Sequence, residues 1–287
     1  MTGEPNPGRM AVTNAFTVDL EDWYQGIELP PGTWAGCEDR LRVGTGRLLE
    51  LLARAGVRAT FFVLGSVAER APEVIREIDG AGHELGTHGC GHQFVYRLGE
   101  EGFRRDLGRS LDLIEQMTGT RVVGHRAPFF SLTRETPWAF AVLAECGIRY
   151  DSSIFPVRNY RYGVPEAPRW VHRIGEVIEF PLTTWRVLGH NLPVAGGAYF
   201  RLFPYTLTRY ALRSVNGSGH PAVFYIHPWE LDPGHPRLDL PRRISLPHYR
   251  NLAQTRGRLE RLLAEFSFAP MGQVLGLWAR GEAMTQP

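Results

Sequence analysis

Residues 15–22 read AFTVDLED. An apolar, β-branched and aromatic run over 15–20 predicts a strand, and three carboxylates crowd its C-terminal end. The same pattern recurs at 58–64 (RATFFVL) and, more briefly, at 83–86, 121–124, 148–150, 177–180 and 222–226. Amphipathic segments fall between these runs. Helices are expected at 46–55, with Thr45 as N-cap and Gly56 closing, and at 66–79, opened by a Ser66–Glu69 capping box. Phe103, Leu107, Leu111 and Ile114 share one helical face ahead of Gly119, and further helices are expected at 134–145, 205–215 and 251–266. Repeated β-then-α order predicts an α/β fold, a mainly parallel sheet with helices outside it. Periodicity alone does not decide whether that sheet closes.

The chain has 287 residues, 43% hydrophobic and 22% charged, enough to bury a large core without staples. A net charge of +2 offers no field for nucleic acid. All 32 basic residues are arginines, which excludes Schiff-base chemistry and a phosphate-loop lysine. Three cysteines without a CxxC pair argue against a disulfide framework and a thiolate zinc site. No transmembrane segment is expected, since no apolar run reaches the roughly 18 residues that a span needs. The start lacks the layout of a secretion signal, so the expectation is a cytoplasmic protein, with peripheral membrane association through a partner left open. Irregular stretches at 24–44 and 156–175 are of a length usually reserved for function, and a proline-rich stretch at 231–248 is expected to wrap the surface.

Ionisable residues gather where strands end. Asp19, Glu21 and Asp22 follow the first strand, His88 and His92 the third, Arg126 the fourth, Asp151 the fifth, and His227 the run at 222–226. In parallel α/β proteins these ends open onto one face, where ligands bind. THGCGH spaces two imidazoles four apart, which on a helical turn places both on one side, as a divalent metal requires. Ten histidines produce on the order of 0.3 such pairs by chance, so the spacing alone is weak. A carboxylate joining the pair completes a two-histidine, one-carboxylate set, and a second carboxylate nearby could take a proton from water. Asp19 and Glu21 share one strand face, whereas Asp22 belongs to the turn. Arg126 reads as a buried fork holding the base carboxylate, and His227 as a general acid.

The stretches FTVDLEDWYQ, ATFFVLG, GHELGTHGCGH, GHRAPFFSLT, YDSSIFPV, EFPLTTW, GGAYFRLFPY and FYIHPWELDP, in this order, resemble the NodB-type polysaccharide deacetylases (carbohydrate esterase family 4). Within that family the likeness is to the branch found in exosortase-associated exopolysaccharide clusters. It covers about 14–275, leaving 1–13 as a disordered N-terminal segment and 276–287 as a tail. The resemblance implies a distorted (β/α) barrel, one divalent metal (zinc first, with cobalt, nickel or iron as alternatives), an N-acetylated oligo- or polysaccharide substrate, and exopolysaccharide assembly partners. It implies His88 and His92 as metal ligands, Asp19 as base, Arg126 as its orienting group and His227 as acid, with Asp151 loosely matched as support for His227. The family's first motif carries adjacent aspartates where this chain reads Asp-Leu-Glu-Asp, so the carboxylate ligand is Glu21 or Asp22. Trp23, Pro128, Phe129 and Trp229 are expected at the sugar, with Tyr24, Phe130, Trp185 and Tyr199 as further stacking candidates. Two rivals are a same-fold hydrolase of a small cyclic amide, resembling allantoinase, and a non-catalytic carbohydrate-binding protein.

Overall fold

The computed structural model describes residues 12–27, 29, 31–159 and 161–277. Its main sheet contains β1 (Asn14–Leu20), β2 (Thr60–Val63), β3 (Glu84–Thr87), β4 (Gly124–His125), β5 (Tyr150–Asp151), β6 (His172–Ile174), β7 (Val177–Glu179), β10 (Val223–Ile226) and β11 (Phe268–Ala269). A separate hairpin pairs β8 (Thr184–Val187) with β9 (His190–Pro193). The strand order is β10-β1-β2-β3-β4-β5-β7-β6, with β11 added to β1. Every pairing in the main sheet is parallel except β6 with β7. The sheet curls into a half-barrel and stays open between β6 and β10. The expected parallel α/β architecture is therefore present, as an arc and not a closed ring.

The helices are α1 (Leu41–Ala55), α2 (Gly65–Arg70), α3 (Pro72–Gly80), α4 (Val95–Thr118), α5 (Ala139–Glu145), α6 (Gly197–Leu202), α7 (Tyr205–Gly217), α8 (Arg242–Tyr249), α9 (Leu252–Glu265) and α10 (Met271–Val274). Their apolar faces cover the sheet. Leu48 and Leu52 of α1, Phe103 and Leu107 of α4 and Leu259 and Leu262 of α9 join Phe16, Val18 and Phe61 in one core. Gly56 and Gly119 close α1 and α4 in the left-handed conformation expected of them.

Three local expectations are corrected. Helix α1 begins at Leu41, so Thr45 is a buried helical residue and not its cap. The helix expected over 66–79 is two helices broken at Ala71, because Pro72 disfavours helical geometry in the residue before it. The stretch 231–248 does more than wrap the surface, since it contains α8, which presents Ile244, Pro247 and His248 to the central cavity. The segments read as tails fall largely outside the described residues. No helix among the described residues is long and apolar enough to cross a membrane.

Candidate metal centre

Asp19 lies near the C-terminal end of β1, and the N–H of Glu21 folds back onto the carbonyl of Asp19 at 2.9 Å. This tight turn ends the strand and aims both side chains into one cavity. His88 follows β3 directly. The loop to α4 is not helical, contrary to the spacing argument: Gly89 (φ 72°) and His92 (φ 50°) are both left-handed. Asp106 of α4 pins this loop by accepting the N–H groups of Cys90 (2.7 Å) and Gly91 (3.0 Å). A Cβ at position 89 would sit 2.8 Å from that carboxylate, so glycine is required there by space as well as by φ. The two imidazoles thus meet through a loop, with ring centroids 5.5 Å apart.

Glu21 Oε1 lies 3.0 Å from His88 Nε2 and 2.8 Å from His92 Nε2, and all three side chains are buried. His88 donates its Nδ1–H to the carbonyl of Arg126 at 2.7 Å, since a carbonyl can only accept. In a neutral ring this leaves the Nε2 lone pair facing a carboxylate oxygen. Two acceptors at that separation need a cation between them. A donor set of two imidazoles and one carboxylate, with one ring oriented by a carbonyl, fits a divalent metal. Burial pushes the Glu21 carboxyl up, but the neighbouring His92, His227 and His88 outweigh it and hold it well below the usual range.

Beside this cluster Arg126, fully buried, donates to Asp19 Oδ1 and Thr17 Oγ1 at 2.8 Å each, and to the carbonyl and Oγ of Ser152 at 2.9 Å each. Asp19 Oδ2 faces His227 Nε2 at 3.9 Å. His227 follows β10, and its Nδ1 meets Glu230 Oε1 at 2.8 Å, with Glu230 also accepting the His227 backbone N–H at 3.0 Å. Burial disfavours the His227 cation, yet the carboxylates of Glu21, Glu230 and Asp19 push its pKa up to about 9. Glu230 is in turn gripped by the buried Arg201, whose other N–H groups bind the carbonyls of Pro247, His248 and Arg250.

The cavity has a volume of about 300 Å³, and Phe129, Phe130, Tyr199 and Trp229 line it along with Asp19, Glu21, His88 and His227. Trp229 is sandwiched between His227 (5.3 Å) and His248 (4.2 Å).

Four expected residues lie elsewhere. Asp22 turns away from the histidines: its Oδ2 accepts the N–H groups of Arg40 (3.0 Å) and Leu41 (3.2 Å), capping α1 from a distance. Of the two alternatives, Glu21 is the carboxylate that the fold brings to the imidazoles. Asp151 does not support His227, because β5 carries it to His125 Nδ1 (2.6 Å) and Ser153 Oγ (2.7 Å). Trp23 is buried under the 24–44 stretch and donates to the carbonyl of Glu38 at 2.9 Å. Pro128 anchors a 3-10 turn whose carbonyl accepts from Ser131, and it does not line the cavity. Of the looser stacking candidates, Tyr24 packs beside Trp23 and Trp185 against Tyr210, both away from the cavity. Sequence reasoning missed Glu230 and Arg201. The His-x-x-Glu spacing at 227–230, a capping-box pattern, was the available signal for Glu230; Arg201 had none.

A family model described as polysaccharide deacetylase matches residues 36–150, and one described as a domain of unknown function (DUF3473) matches 152–276. The first match begins after Asp19 and Glu21 and ends before His227. A peptidoglycan deacetylase-like protein of Gibberella zeae is 34% identical over 115 residues, 39% of this chain and 33% of its own length. A peptidoglycan deacetylase of Helicobacter pylori is 31% identical over 150 residues, 49% of this chain and 48% of its own. The chain thus spans less than half of either relative. A solved structure from Mycobacterium smegmatis, provisionally described as a polysaccharide deacetylase, superposes with a TM-score of 0.62 at 23% identity, over 99% of this chain and 97% of that one. Similarity in sequence to polysaccharide deacetylases thus covers residues 36–150, and the fold of the whole chain is that of the solved structure so described.

Proposed function

We propose that the protein hydrolyses the N-acetyl group of an amino sugar in a polysaccharide or its oligosaccharide precursor, with Glu21, His88 and His92 holding one divalent ion. The observation that carries this reading is Asp19, fixed by Arg126 on one oxygen and facing His227 with the other, beside the Glu21–His88–His92 cluster. When bound, the ion supplies Lewis acidity to the acetamide carbonyl and makes water easier to deprotonate. Asp19 accepts the proton of the attacking water. Arg126 keeps that carboxylate aimed, itself held by its further donors to Thr17 and Ser152. His227, kept protonated by Glu230, donates to the departing amine, so acetate leaves and a free amino sugar remains. Phe129, Tyr199 and Trp229 offer aromatic faces for pyranose rings along the cavity. The order of motifs along the whole chain supports a role in exopolysaccharide maturation, with zinc as the first metal to test.

The test is acetate release from N-acetylglucosamine oligomers by chelator-stripped and then metal-restored protein, with His88→Ala as control. Activity that vanishes on stripping, returns with metal and is absent from the variant is expected. Release unaffected by either treatment, or no release at any metal loading, would overturn the reading.

A further inference from the structure

The β8–β9 hairpin stands apart from the main sheet, and its turn is built against local preference. Val187 ends β8 and His190 begins β9, so the loop is Leu188-Gly189 alone. Both residues are left-handed, at φ 48° and φ 80°. A two-residue turn of that form favours Asn-Gly, because a Cβ is strained in this conformation and asparagine tolerates it better than most side chains. This chain places leucine there and leaves it 94% exposed. Backbone strain and the hydrophobic effect both oppose that choice in a tip surrounded by water. Burial of the tip against something outside the chain removes the second objection.

The two faces of the hairpin differ in character. Trp185 pairs with Leu192 across the ladder, so both side chains share one face. The Trp185 ring meets the Tyr210 ring of α7 edge-on at 5.3 Å. Leu192 and Tyr210 are exposed, so an apolar strip runs back from the tip. The opposite face is cationic. Arg186 lies there, exposed and without an ion pair among the described residues. Arg169 joins it by binding Thr184, two positions earlier on the same face, through the hydroxyl (3.1 Å) and the carbonyl (2.6 Å). Burial, and after it the like charge of Arg186, pushes the Arg169 guanidinium below its ordinary value. Arg213, one turn beyond Tyr210, shares the single carboxylate of Glu265 with Arg209 at 3.7 Å each. No acidic residue occurs between Glu179 and Glu230, where the chain's average would place about five.

An apolar tip behind a cationic collar selects its partner by charge. A second copy of the chain, joined about a two-fold axis, would set the same arginines against each other. A protein interface of standard size buries about 800 Å² per partner, more than one hairpin tip presents. An anionic bilayer suits both halves, because lipid phosphates accept from guanidinium groups while the acyl boundary takes up leucine and aromatic side chains.

We propose that the β8–β9 hairpin is a membrane-docking element: Leu188 enters the headgroup–acyl boundary of an anionic lipid bilayer, and Arg186 and Arg169 hold its phosphates. The hairpin lies away from the metal centre and binding is read without turnover, so the proposal stands independently of the deacetylase reading.

The experiment sediments the full chain with vesicles of pure phosphatidylcholine, or of phosphatidylcholine with about a third phosphatidylglycerol, at low and high salt. The anionic vesicles should bind the protein about tenfold more tightly than the neutral ones, and the margin should shrink with salt. Asparagine suits the turn better than leucine, so Leu188→Asn should keep or raise Tm while its vesicle affinity falls about fivefold. Arg186→Gln should lower affinity about three- to fivefold, and Arg76→Gln, which alters an exposed arginine of α3, should leave it unchanged. Equal binding to both vesicles, binding to neither at low salt, or a folded Leu188→Asn protein that binds as the wild type does overturns the proposal. So does concentration-dependent self-association that Leu188→Asn abolishes, since the tip would then serve a second copy.

Discussion

Glu230→Gln removes one charge while nearly preserving shape, and its consequence can be worked through from the structure. Glu230 Oε1 lies 2.8 Å from His227 Nδ1. At an effective dielectric of about 20 the Coulomb attraction across that gap is about 6 kcal/mol, an upper bound. The glutamine carbonyl still accepts the Nδ1–H, so the net loss should be roughly 1.4–2.7 kcal/mol, or about one to two pKa units. The His227 value stands above its ordinary one, at about 9. The stability that its ion pairs contribute is therefore fully present below the unfolded value of about 6.5, and it is lost, as the ring deprotonates, when pH rises through the folded value. A cation at Glu21 cancels that carboxylate's share, so the alkaline limb of the loaded enzyme falls below 9. The difference between the two proteins is the quantity to measure. In a pH profile of kcat/KM for acetate release, the variant's alkaline limb should lie about one to two units lower. Glutamine also has one carbonyl for donors on two sides, His227 and Arg201, so a stability loss of about 1–3 kcal/mol should accompany the shift. A folded variant whose alkaline limb stays with the wild type would refute His227 as the general acid supported by Glu230.

Other predictions follow from neighbouring contacts. Asp22→Ala should cost about 1–2 kcal/mol by uncapping α1, visible in denaturant titration, and should leave metal affinity unchanged; Glu21→Gln should abolish metal binding measured by calorimetry. Asp151→Asn should destabilise the protein through its buried contact with His125 without moving the alkaline limb, which separates it from Glu230→Gln in the same profile. Zinc at about a thousandfold excess over its Kd should raise unfolding free energy by about 4 kcal/mol, read as a higher Tm than in chelator. Gly44→Ala would place a Cβ 2.3 Å from the carbonyl oxygen of Pro228, so it should lower Tm and kcat together by displacing the turn that carries His227.

Strand and helix alternation was legible because burial on both faces of a parallel sheet demands continuous apolar runs such as 58–64, and glycine endings such as Gly56 and Gly119 mark helices locally. The strands that escaped were β6, the β8–β9 hairpin and β11, short segments whose residues are partly exposed or only two long. Periodicity needs more turns than they offer.

At the candidate site the same division holds. Sequence alone determined which residues stand at strand ends, because strand direction in a parallel sheet places every C-terminal end on one face, and so Asp19, Glu21, His88, Arg126 and His227 could be named together. It did not determine where each side chain points. Glu21 and Asp22 are adjacent and chemically alike, and only the fold sends one carboxylate to the imidazoles and the other to the α1 N-terminus. Glu230 holds the place expected of Asp151 for the same reason: β5 turns Asp151 toward His125, whereas the 3-10 turn after β10 curls Glu230 back beneath His227. A residue's place along a strand is a one-dimensional property of the chain; its partner is set by what other elements bring to within hydrogen-bond reach.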